Sequence, residues 1–185
     1  MVNARRIEDV LILYAAAGML MGSVHAIRQR RLSRMVAYSS VAQIGYIFLG
    51  ISLGTPAGMA AALYHMLAHS AAKSMLFLSA HQLRDASGGE DTFPALRGAG
   101  KRAPLAALAF FTGACSLVGI PGFGCFASKL YLAQAGVELG SWRMALLLGA
   151  LAVSTGLNVA YMLRTVLTLY RPAEGEIKAG SKPDA

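Results

Sequence analysis

His65, His69 and Lys73 recur at intervals of four in the run YHMLAHSAAKSMLFLSA, inside a long apolar stretch. A step of four advances about 40° per repeat on a helix of 3.6 residues per turn, so the three side chains form one spiralling stripe about 12 Å long. Histidine titrates near neutrality and can accept on one ring nitrogen while donating from the other. A lysine removed from water switches between ammonium and amine with small changes in nearby charge. With water between them, the three groups can pass a proton along a helix. Such a path needs small and hydroxyl-bearing neighbours that leave room for water, and Ser39, Ser40, Gln43, Ser70 and Ser74 are the candidates.

A second cluster follows in GIPGFGCFASKLYLAQ. Pro121 removes a backbone donor and crowds the preceding turn, while Gly119, Gly122 and Gly124 permit backbone angles closed to other residues. Uninterrupted, the apolar segment 105–136 would be a helix about 48 Å long, against a hydrocarbon core of about 30 Å. The segment is therefore expected to break at Pro121, Gly122 and Gly124. Carbonyls freed at such a break are tolerated only where protein or a water-filled cavity surrounds them. Lys129 follows the break by about a turn and a half, which places an ammonium group beside a broken helix, a common construction for a mid-membrane ion site.

Plainer readings exist for each group. Lys129 could extend its charge to the outer interface, and His65 and His69 could be neutral hydrogen-bonding contacts between helices. Two histidines four apart also have zinc-ligand spacing. No acidic residue or cysteine completes a set in that segment and HExxH is absent, so no metal is expected. Cys115 and Cys125 lack any CxxC spacing and read as small apolar fillers.

These residues must be held by membrane helices. The chain of 185 residues is 56% hydrophobic and only 14% charged, with a mean hydropathy of +0.52, whereas a soluble domain carries roughly 25% charged residues. Apolar segments long enough to span occur at 9–27, 36–54, 57–82, 105–136 and 143–170, which predicts an all-α polytopic bundle of about five helices, one of them broken. An ionisable group at bilayer depth is costly and usually belongs to an ion path.

Short cytoplasmic loops collect Lys and Arg. Arg28, Arg30, Arg31 and Arg34 lie between the first two spans, Arg84, Arg97, Lys101 and Arg102 after the third, and Arg171, Lys178 and Lys182 in the tail. Only Arg5, Arg6 and Arg143 fall on the other side. The N-terminus is thus expected outside and the C-terminus in the cytoplasm, in the inner (plasma) membrane. Arg5 and Arg6 beside Glu8 and Asp9 make neither a signal peptide nor a strong translocation signal, so upstream helices are expected to be missing and to come from a separate chain. Residues 171–185 read as a disordered tail. The net charge of +8 is spread over membrane flanks without aromatic interleaving, which favours contact with anionic lipid over nucleic acid.

Three linked runs carry a family resemblance: LSRMVAYSSVAQIGY from Leu32, YHMLAHSAAKSMLFL from Tyr64, and GIPGFGCFASK from Gly119. Their order and spacing resemble the antiporter-like membrane subunits shared by proton-pumping NADH:quinone oxidoreductase, Mrp-type cation/proton antiporters and membrane-bound hydrogenases. The resemblance implies that residues 1–170 correspond to helices nine to thirteen of about fourteen, the second of two inverted repeats. By position Lys73 is similar to the family's central relay lysine, His65 and His69 to its connecting histidines, and Lys129 to its terminal lysine. Ser33 stands where the family usually has Lys, and Gly122 where it commonly has a second proline. The glutamate and lysine pair of the first repeat has no counterpart in this chain.

The resulting expectation is a proton-translocating half-channel working with other membrane subunits of a respiratory complex. No NADH, flavin or quinone should bind to this chain, because it has no GxGxxG strand-turn-helix unit and no soluble domain. The alternatives are a Mrp-type Na⁺/H⁺ antiporter subunit, a truncated remnant that conducts nothing, and an intramembrane metalloenzyme.

Overall fold

The helix boundaries are set by local chemistry. In the computed structural model, which describes residues 2–138 and 140–172, α1 (Val2–Arg28) turns through Gln29, whose N–H reaches the Ala26 carbonyl at 3.2 Å, and α2 (Leu32–Ser52) follows. Gly54 then adopts a left-handed φ of 64°. Thr55 caps α3 (Pro56–Asp85) by accepting from the Gly58 N–H at 3.1 Å, and Pro56 at the first helical position loses no hydrogen bond there. Gly88 and Gly89, both with positive φ, end that helix.

The connection to the next long helix is pinned to the turn between α1 and α2. Arg31 and Thr92 form an antiparallel bridge, with Leu32 N–H donating to the Asp91 carbonyl at 2.8 Å and Phe93 N–H to the Arg30 carbonyl at 3.2 Å. A single turn, α4 (Ala99–Arg102), leads into α5 (Pro104–Val118), then α6 (Gly124–Val137) and α7 (Ser141–Tyr170).

The bundle is all-α, as the composition predicts. The expected spans correspond to α1, α2, α3, the pair α5 and α6, and α7, so the described residues form seven helices rather than five. The excess is α4 and the division of the broken segment. The first helix also begins at Val2, seven residues before the apolar run, because Ala4, Arg5, Arg6 and Glu8 are good helix formers. Three helices are long and apolar enough to cross a membrane: Arg6–Arg28, Leu32–Ser52 and Trp142–Tyr170. Helix α3 misses that standard because it carries His65, His69 and Lys73 along with serines, and α5 because it is 15 residues long. Of residues 171–185, expected to form a disordered tail, 173–185 lie outside the described residues.

Close approach of backbones holds the first three helices together. A Cβ at Gly22 would lie 2.4 Å from the Ala42 nitrogen, and one at Gly45 2.8 Å from the Met19 nitrogen, so α1 and α2 meet across glycine on both sides. Gly50 and Gly58 do the same for α2 and α3, each blocking a Cβ on the other at 2.7 Å or less through a carbonyl oxygen. Dispersion grows with such proximity, which is how helices associate in a solvent as apolar as themselves.

Two apolar clusters result. One gathers Leu32, Met35, Leu76, Leu83, Phe93 and Phe110 towards the loop end, and the other gathers Met19, Tyr46, Leu49, Leu132 and Leu147 towards the opposite end. On each long helix a group of buried polar residues falls between the members of these clusters: Ser23 on α1, Ser39 and Gln43 on α2, His65 and Lys73 on α3, Ser128 and Lys129 on α6, Ser154 and Asn158 on α7, whereas Ser52, Ser79, Ser116, Thr165 and Thr168 are buried within the clusters themselves. A polar layer is therefore closed on both sides by apolar packing.

Candidate functional site

Lys73 is 6% exposed, and it does not reach along its own helix. Its Nζ crosses to α2, donating to the Val36 carbonyl and to Ser39 Oγ, both at 2.5 Å. Ser39 in turn donates to the same carbonyl at 2.8 Å. The lysine head is thus fixed in a small pocket of oxygens one helix away, with the Phe77 ring 5.8 Å from the nitrogen. Solvation of an ammonium by such oxygens replaces part of what the bilayer removes.

His65 is fully buried and joins three helices. Its Nδ1 lies 2.7 Å from Ser128 Oγ on α6 and its Nε2 3.0 Å from Gln43 Oε1 on α2. The neutral ring satisfies these partners in two ways. With the proton on Nε2 it donates to the Gln43 oxygen and Nδ1 accepts from Ser128. With the Gln43 amide turned over, its NH₂ donates to Nε2, Nδ1 donates to Ser128, and Ser128 donates to the Cys125 carbonyl 3.0 Å away. A side chain that accepts on either nitrogen and donates from the other can carry a proton between α2 and α6.

His69 stacks nearly parallel to His65, with ring centroids 6.1 Å apart and planes 7° apart. The stacking leaves no direct hydrogen bond between them, and His69 Nδ1 is buried without a protein partner. A bridging water is the ordinary solution for such an atom. The Tyr46 ring also packs against His65, with centroids 5.4 Å apart and planes 26° apart.

Lys129 is 7% exposed, so its charge does not extend to an interface. It donates to the carbonyls of Leu117 and Val118, each at 2.9 Å. These are the last carbonyls of α5, left without helical partners by the break. Gly119, with φ 88°, closes α5 by returning its N–H to Cys115 and Ser116, and the Ile120 N–H also returns to Cys115. A Cβ at Gly119 would lie 3.2 Å from Lys129 Cδ, so the glycine makes room for the lysine stem. The ammonium sits where a helix C-terminus favours a cation and lies 5.0 Å from the centre of the Tyr46 ring. Gly122, with φ 96°, continues the break beside exposed Pro121, and Gly124 starts α6.

The structure brings Lys73, His65, His69, Lys129, Ser39 and Gln43 into the interior layer. Ser40 is half-buried, 3.5 Å from the Val36 carbonyl. Ser70 and Ser74 lie elsewhere: both are exposed, and their hydroxyls bond to the carbonyls of Leu67 and Ser70 on their own helix. A shift of one position from His69 or Lys73 turns a side chain about 100° away from the interior. His81 is also outside, paired with Asp85 at 3.6 Å. Among the described residues no three of His, Cys, Asp and Glu are gathered as a metal site would require.

Several interior groups escaped the sequence reading. Ser128 precedes Lys129 directly, and Tyr46 closes the first quoted run. On α7, Ser154, Asn158 and Thr165 are fully buried. Ser154 bonds Ser23 at 2.8 Å, Thr155 bonds Tyr46 at 3.0 Å, and the Tyr161 hydroxyl donates to Asn158. Ser154, Asn158, Tyr161 and Thr165 are spaced by four, three and four along one face, which was the available signal.

Residues 1–155 match the family described as NADH:quinone oxidoreductase/Mrp antiporter, TM. NADH-quinone oxidoreductase subunit N of Desulforudis audaxviator is 40% identical over 162 residues, covering 88% of this chain and 32% of that protein. A Mrp complex from Dietzia sp. DQ12-45-1b contains a chain that superposes with a TM-score of 0.80 at 34% identity, over 92% of this chain and 31% of that one. The membrane-bound sulfane sulfur reductase, an archaeal respiratory membrane complex, gives a TM-score of 0.80 at 32% identity, over 94% and 36%. This chain spans about a third of the length of these relatives.

Proposed function

This chain belongs to the NADH:quinone oxidoreductase/Mrp antiporter transmembrane family, and from that membership we propose that it forms one proton half-channel of a larger, NADH:quinone oxidoreductase-like membrane complex. The observation that carries the reading is the three-helix junction at His65, which links Gln43 on α2 to Ser128 beside Lys129 on α6. Lys73 is the cytoplasm-side proton holder, His69 and His65 pass the proton through water and ring nitrogens, and Lys129 is the group nearest the outer exit. Residues 1–170 correspond in this reading to helices nine to thirteen of the family, with the N-terminus outside and the C-terminus in the cytoplasm.

The apolar clusters above and below the polar layer confine the path to that layer. Each step along it depends on a titratable side chain changing hydrogen-bond partners, directly or through water. Small movements suffice, because Ser39, Ser128 and Gln43 are already within hydrogen-bonding distance of the groups they serve.

The test is proton translocation by the assembled complex carrying Lys73→Ala. Assembly should persist while pumping falls sharply, and pumping at the wild-type rate overturns the relay. A second reading, a Mrp-type Na⁺/H⁺ antiporter subunit, is favoured by the likeness to the Dietzia Mrp chain. Sodium-dependent proton exchange in vesicles, without electron input, would select it.

A further inference from the structure

Four arginines from three separate segments meet around one open groove at the loop end of the bundle. Arg30 comes from the turn after α1, Arg97 from the loop before α4, Arg164 from α7 and Arg171 from just past its end, and the groove measures about 640 Å³. Among the described residues no carboxylate lines it. Arginines that merely mark the cytoplasmic flank of a membrane protein need not converge. These do, because the Arg30 carbonyl is bonded to Phe93 N–H and so ties the first turn to the second loop.

One guanidinium is already oriented. Arg164 lies with its carbon 4.6 Å from the centre of the Phe93 ring, and its Nη1 donates to the Ile27 carbonyl at 3.2 Å. Stacking and a single carbonyl contact fix the plane while most of its five donors stay available. The wall below is apolar: Leu163 and Leu167, 53% and 50% exposed, run from Arg164 and Arg171 into the span Trp142–Tyr170.

We propose that this groove binds the phosphate of an anionic phospholipid, with the headgroup held among Arg30, Arg164 and Arg171 and an acyl chain laid along Leu163 and Leu167. Charge complementarity selects the anion. Planar guanidinium forks suit phosphate oxygens, and basic pockets between helices on the cytoplasmic side are the usual seats of acidic lipids. The apolar wall selects a lipid over free phosphate, which would gain nothing from it. This assignment is independent of the relay.

The test uses the full chain in nanodiscs of phosphatidylcholine with or without phosphatidylglycerol, and counts lipids retained on release by native mass spectrometry. Arg30→Gln with Arg171→Gln should lower the preference for phosphatidylglycerol on the order of tenfold. Arg84→Gln with Arg102→Gln, on the same flank but outside the groove, should leave it unchanged. Arg164→Lys keeps the charge but loses the planar fork, and should fall between. An equal loss in the Arg84 and Arg102 control overturns the site in favour of general surface charge. Displacement of the lipid by inorganic phosphate alone at comparable concentration overturns the lipid assignment. Unchanged lipid retention in the Arg30 and Arg171 variant, with a subunit lost from the assembled complex, would make the groove a protein contact instead.

Discussion

Lys129 on α6 donates to the carbonyl of Leu117 at 2.9 Å, so the ammonium group caps the helix that precedes it across the break. The lysine is both the structural closure of α5 and the proposed terminal proton carrier. A cation with two roles cannot leave its site without releasing two carbonyls, which couples the proton state of Lys129 to the geometry of residues 119–123. That coupling gives a physical reason for a proton-carrying lysine to sit beside a broken helix.

Lys129→Met separates the two roles. It keeps the stem packed under Gly119 but leaves the Leu117 and Val118 carbonyls unpaired, at a cost of about 1–3 kcal/mol for a buried unsatisfied group. Thermal unfolding in detergent should show a lower midpoint, and proton translocation by the assembled complex should fall. Unchanged stability would mean that the carbonyls find other partners.

Ser39→Ala removes one of the two oxygens that hold Lys73. The Val36 carbonyl remains, so folding should be nearly unaffected, by about 1 kcal/mol. Translocation should drop measurably but less than in Lys73→Ala. A loss as large as that of the lysine variant would mean that Ser39 itself carries the proton.

Gln43→Leu breaks the α2 arm of the His65 junction while filling a similar volume. The histidine then keeps a single fixed partner, Ser128, and can no longer exchange its proton between two satisfied arrangements. Translocation should fall by roughly several-fold to 10²-fold, up to the lower end of the 10²–10⁴-fold that a positioned acid–base group contributes, with assembly intact. Ser70→Ala and Ser74→Ala, on the exposed face of α3, should pump as the wild type does.

Gly22→Val places a branched side chain where even a Cβ would be 2.4 Å from the Ala42 backbone nitrogen. Backbone cannot retreat as a flexible side chain can, so α1 and α2 must separate, and the yield of folded protein should collapse. Gly149→Ala is the control: nothing lies within 4 Å of its Cβ position, and the gain in helix propensity is worth up to about 1 kcal/mol.

The contrast between these residues divides what is local from what is not. Helices at α1, α2 and α7 follow from runs of apolar residues, because in lipid the backbone must satisfy itself and only a helix does so within one segment. The break at Pro121 and Gly122 is equally local, since proline and glycine act on their own turn. The stripe of His65, His69 and Lys73 is a consequence of helical period, whereas Ser39, Ser40, Gln43, Ser70 and Ser74 are candidates by residue type alone. Ser70 and Ser74 were drawn in by composition, yet one step along a helix is a third of a turn, and only packing decided which faces are interior.

Charge, hydropathy and period are properties of a single chain segment, and they specify a membrane bundle with a broken helix and a lysine-histidine stripe. That Lys73 bonds to α2 rather than along α3, that His65 joins Gln43 to Ser128, and that Lys129 closes α5 all depend on how the helices pack. A buried polar group must be satisfied by whatever lies opposite, and what lies opposite is set by glycine contacts such as those of Gly22 and Gly45, far from it in the chain.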